Sequence, residues 1–79
     1  MSNNVWVAVY NHQYGTDCRV YKSKESCFAW RDRVADEWWE DSFPRYDKPA
    51  SDIGSMYFAL MYESNGPEWF DIQEAEIEE

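Results

Sequence analysis

His12 is the single histidine of the chain, and Thr16 and Asp17 follow it closely. A carboxylate that orients an imidazole is half of a hydrolytic triad, yet no recognised motif sets a nucleophile against this pair. The pair therefore reads first as a polar cluster that stabilises a turn. One histidine and two separated cysteines, Cys18 and Cys27, do not supply the three or four ligands of a metal site. Gly15, Gly54 and Gly66 are isolated, so there is no glycine-rich loop for phosphate. These residues predict no enzyme, no metal and no cofactor.

What the chain holds in quantity is carboxylate. Sixteen Asp and Glu stand against seven Lys and Arg, a formal net charge of −9. Every base lies at or before Lys48. Beyond it Asp52, Glu63, Glu68, Asp71, Glu74, Glu76, Glu78 and Glu79 meet no base at all. Such a field repels nucleic acid and anionic membrane and steers the chain toward basic protein surfaces. Asp32, Asp36, Glu37, Glu40 and Asp41 form one acidic row at helical spacing. Glu74, Glu76, Glu78 and Glu79 form a second. Two readings of these rows stay open. Acidic surface serves solubility; rows of carboxylates also imitate phosphates and occupy a nucleic-acid-binding groove on another protein. The second reading makes these nine residues the candidate partner-binding set.

Positioning such rows requires a fold, and 79 residues predict one domain over 1–79. Asn4–Tyr10 alternates as a strand, with Val5, Val7 and Val9 on one side and Trp6, Ala8 and Tyr10 on the other. A polar turn over Asn11–Thr16 leads to a second strand, Asp17–Lys22, and the two pair as an antiparallel hairpin. Ser23 is suited to cap a helix that runs to about Asp41, with Glu25 in its first turn. Cys27, Phe28, Trp30, Val34, Ala35, Trp38 and Trp39 fill its apolar face. Arg31 falls within that face, either snorkelling or ion-paired, or held for binding. Pro44 and Pro49 mark a loop over Ser42–Ala50. Ser51 is placed to cap a second helix over Asp52–Glu63, with Ile53, Met56, Tyr57, Leu60 and Met61 buried and Phe58 projecting elsewhere. Asn65-Gly66-Pro67 ends it, Gly66 being suited to a left-handed cap. Phe70 and Ile72 share one parity while Ala75 and Ile77 share the other. The last segment, Glu68–Glu79, therefore predicts a strand broken near Asp71–Glu74.

The expected fold is α+β, in the order ββααβ: a three-stranded, mostly antiparallel sheet with two helices packed on one face. If the valines face the helices, Trp6, Tyr10 and Tyr21 lie on the open face beside Arg19. That aromatic face is the candidate surface for a homodimer or a generic protein-interaction module. Five Trp, six Tyr and four Phe supply a core without disulfide or metal, and leave some rings exposed. Cys18 and Cys27 are expected as reduced thiols at core positions. Met1–Val9 has no basic n-region, and no stretch is apolar enough to span a membrane, so a cytosolic location is expected.

The stretch from Val7 to Asp17, with its His-x-x-Gly-Thr-Asp element at His12–Asp17, resembles a family of very small proteins from phages, prophages and actinobacteria. Ala29-Trp30-Arg31-Asp32, Trp38-Trp39 and Gly54-Ser55-Met56-Tyr57-Phe58 extend the likeness over most of the chain. This resemblance implies no activity. In size, acidity and lack of enzymatic motifs the chain is also similar to small phage-encoded anti-CRISPR proteins. That likeness is one of class and carries no functional residues over. It implies a basic, DNA-binding surface of a CRISPR effector complex as the partner.

Overall fold

In the computed structural model, which describes residues 4–77, the strands are β1 (Asn4–His12), β2 (Gly15–Tyr21) and β3 (Trp69–Glu76). The helices are α1 (Lys24–Ser42) and α2 (Ile53–Glu63). The order is therefore the expected ββααβ. The sheet runs β2-β1-β3, and β1 is antiparallel to both neighbours. A two-residue turn, Gln13-Tyr14, closes the hairpin, with His12 opposite Gly15. Gly15 has φ 142°, a conformation that side-chain-bearing residues rarely adopt.

The helices cover the Trp6-Ala8-Tyr10 side of β1 and not the valine side, the condition on which an open aromatic face depended. Ala8 and Tyr10 are buried against Cys27, Trp30 and Val34 of α1, with Trp6, Tyr21, Phe70 and Ile72 packed around them. Tyr10 is thus a core residue, and Trp6 and Tyr21 are partly buried against the same core, so the three rings form no open dimer face. The physical reason is area. Both parities of β1 are apolar, but Trp and Tyr rings remove far more surface from water than Val or Cys, so the helices settle on the ringed side. Arg19 lies on this side too, its guanidinium 4.5 Å from the centre of the Trp30 ring.

The uncovered face is built from cross-strand pairs. Val7 stands opposite Val20, Val9 opposite Cys18, and Val5 opposite Ala75. Val20 is 61% exposed, and Cys18 is exposed as well rather than in the core. Cys27 is fully buried as expected. β3 pairs with β1 without a break from Trp69 to Glu76. No bulge is needed, because Phe70 and Ile72 point under the helices while Ala75 joins the valines on the far side.

Ser23 caps α1 as its sequence suggests, accepting the Ser26 N–H at 3.3 Å. A second core cluster fills the seam between the helices: Ala35, Trp39 and Phe43 against Tyr57 and Met61. Phe58 reaches both clusters. Trp38 and Met56, expected in the buried stripes, are exposed. α2 is not capped by Ser51. Asp52 is its N-cap residue, in the left-handed region at φ 54°, and makes no side-chain cap bond. The Asp32 carboxylate on α1 accepts the Gly54 N–H instead, at 3.0 Å. At the other end Asn65, not Gly66, takes the left-handed conformation, at φ 57°. Arg31 bridges the helices: its guanidinium lies over Phe28 and donates to Ser55 at 3.1 Å.

Candidate functional site

The first acidic row divides by what each carboxylate touches. Asp32 serves α2 as described and lies 3.9 Å from Arg31 Nε. Asp36 pairs with Lys48 at 3.0 Å. Glu37, Glu40 and Asp41 are exposed in the last turns of α1, and among the described residues no Lys or Arg nitrogen lies within 4 Å of them. Positions three and four apart on a helix share a side, so these three project together. Exposed Trp38 stands in the same turn.

The second row lies elsewhere. Glu74 and Glu76 are exposed and sit opposite Trp6 and Asn4. Trp6 is the ring that Lys24, the first residue of α1, approaches at 5.3 Å. The rows are thus separated by the rise of α1, on the order of 20 Å between Lys24 and Glu37. Glu78 and Glu79 lie outside the described residues.

At the hairpin end a polar network forms that the sequence did not single out. Glu68, just before β3, accepts hydrogen bonds from the hydroxyls of Tyr10 on β1 and Tyr57 on α2. The Tyr57 hydroxyl lies 3.0 Å from Glu68 Oε1 and 3.1 Å from Oε2, and 3.0 Å from Ser42 Oγ. Burial, the bond to Glu68 and its negative charge push the Tyr10 phenol pKa far above its usual range. Burial and the charges of Glu68 and Asp41 do the same for Tyr57, against the opposing pull of Ser42. Both phenols are held as neutral donors to one carboxylate.

Beside this network lies a cleft of about 220 Å³ with Tyr10, His12, Tyr14, Asp17, Trp38 and Glu68 on its walls. Its histidine is fully engaged. The Tyr14 N–H donates to His12 Nδ1 at 3.2 Å, and Nε2 lies 3.1 Å from Asp17 Oδ2. An acceptor Nδ1 places the proton on Nε2, which donates to Asp17. No ring nitrogen is left with a free lone pair for a substrate proton. A broader groove of about 680 Å³ is also lined by Glu68, together with exposed Tyr62 and Trp69 and with Glu63. Four exposed aromatic residues, Tyr14, Trp38, Tyr62 and Trp69, therefore flank one carboxylate.

Among the described residues no group of three or more His, Cys, Asp or Glu is arranged to hold a metal ion. No helix there is long and apolar enough to cross a membrane. No protein-family model, curated protein or solved structure matches the chain.

Proposed function

We propose that the protein is a non-enzymatic, phage-type inhibitor that docks by its carboxylates on a basic, nucleic-acid-binding surface of another protein and keeps nucleic acid away from it. The observation that carries this reading is the exposed group Glu37, Glu40 and Asp41, within 4 Å of which no Lys or Arg nitrogen of the described residues lies. The net charge of −9 supports it, since such a field draws cationic surfaces and turns phosphate away. His12, with both ring nitrogens occupied by its own turn, favours a binding role over a catalytic one. The class likeness to anti-CRISPR proteins makes a CRISPR effector complex in the host cytosol the first target to test. Glu74 and Glu76 stand apart from the α1 group, and this reading takes α1 as the main contact.

The test is binding to an isolated effector complex at about 0.05 M and about 0.5 M salt, across which the screening length falls severalfold. Affinity should drop steeply, and Glu37→Gln with Glu40→Gln should weaken binding at the lower salt. A dissociation constant indifferent to salt rejects the electrostatic mechanism. The uncovered valine face favours a second reading, a module that pairs through its sheet. In that case Val20→Lys abolishes association while the Gln substitutions leave it unchanged.

A further inference from the structure

We infer that the cleft beside Glu68 receives an arginine side chain of the basic partner and anchors the complex. This inference rests on the docking mode proposed above and names the chemistry of its central contact. Two of the cleft residues, Asp17 and Glu68, are carboxylic, and no Lys or Arg lines it. Asp41 follows three residues after Trp38 of the cleft wall, on the same side of α1. His12 is held by its own turn, with Nε2 3.1 Å from Asp17 Oδ2 and Nδ1 3.2 Å from the Tyr14 amide nitrogen.

The remaining walls are aromatic faces. Trp38 is 41% exposed and Tyr14 83% exposed, so both present ring surface without disturbing the core. A cation over an aromatic face is attracted by the ring quadrupole, most strongly over Trp. Guanidinium suits this lining better than ammonium, because its planar fork stacks on rings and pairs carboxylates through two parallel N–H bonds. Glu68 has capacity for it. A carboxylate offers about four acceptor positions, and the two tyrosine hydroxyls leave some of them free. The same hydroxyls fix the carboxylate in place, so little side-chain freedom is lost on binding.

The test is titration of the whole protein with a short oligo-arginine peptide and with an oligo-lysine peptide of equal length, followed by NMR at low salt. The arginine peptide should bind more tightly and should move the Trp38 indole N–H and the Tyr14 amide. Trp38→Ala should weaken the arginine peptide about 3- to 30-fold and bring it close to the lysine peptide. Tyr14→Ala, at an exposed turn position, should act in the same direction. Equal binding of both peptides, with shifts confined to Glu37, Glu40 and Asp41, overturns the cleft as anchor and leaves carboxylate docking standing. Absence of shifts from either peptide removes both.

Discussion

Asp32 on α1 accepts the backbone N–H of Gly54 at the start of α2, with Oδ1 and N 3.0 Å apart. One helix thus supplies the N-cap of the other, and the residue at the capping position makes no side-chain cap bond. The approach is close. A Cβ at position 54 would run into Asp32 Oδ1 and lie 2.6 Å from Arg31 Nε. Asp32→Ala should lower stability by about 1 kcal/mol, and Gly54→Ala by about 1–3 kcal/mol through overpacking. Ser51→Ala should stay within ~0.5 kcal/mol of the parent. Urea unfolding decides this, and a Ser51→Ala loss as large as that of Asp32→Ala would return the cap to its own helix.

Glu68 is the hub of the tyrosine pair. Glu68→Ala deprives the Tyr10 hydroxyl of its partner among the described residues, while Tyr57 keeps Ser42. The expected cost is about 1–3 kcal/mol for a buried donor left unpaired. Tyr57→Phe should cost less, about 0.5–1.5 kcal/mol. Adding Tyr10→Phe to Glu68→Ala should restore part of the loss, because the stranded hydroxyl is then gone. A double-mutant cycle with no coupling between positions 10 and 68 would contradict the network.

Alkali should unfold the protein through the same pair. Both phenols are raised in the folded state, so they stay protonated where unfolded tyrosine ionises, near pH 10. Above that pH the unfolded chain binds fewer protons than the native one, and stability falls as pH rises. The slope should be about 1.4 kcal/mol per pH unit for each tyrosine. Urea midpoints from about pH 9 to about pH 12 measure it. The double variant Tyr10→Phe with Tyr57→Phe should flatten this part of the profile. A parent protein as steep as that variant would show that the folded phenols ionise freely.

The two thiols should differ sharply in reactivity. Cys18 is exposed on the uncovered sheet face, whereas Cys27 is fully buried and burial pushes its thiol pKa up. The thiolate is the reacting form, so depth and protonation both protect Cys27. A disulfide reagent should modify one thiol per native chain and the second only in denaturant. Two fast native phases would place Cys27 at the surface.

Element order and most of the helix stripes were readable because they are local, although Trp38 and Met56 proved exposed and Phe58 packs inward. Alternation in β1, the Ser23 cap and the proline-marked loop each depend on residues close in the chain. The buried face of the sheet was not readable from β1 alone, since Val5-Val7-Val9 and Trp6-Ala8-Tyr10 are both apolar. The answer came from how much ring surface the helices could cover. The break expected in β3 arose from treating Ala75 as a core residue, when it belongs with Val5 on the far side. The cap of α2 crosses 22 residues of sequence, and the bond from Tyr10 to Glu68 crosses 58. No periodicity encodes pairings at that distance. The α1 acids were legible as a row, but Asp32 and Asp36 are occupied by Gly54 and Lys48, contacts that only the folded chain creates.

The valine ladder that no helix covers ties colloidal behaviour to ionic strength. Copies carrying the same excess of negative charge keep that sticky side apart in dilute buffer. At molar salt the repulsion reaches only about 3 Å, and the apolar side chains of that face, which stand beside Asp71 and Gln73 of β3, can then meet those of a second copy. Concentrated stocks are therefore best kept at low salt and well above the isoelectric point of about 4.4.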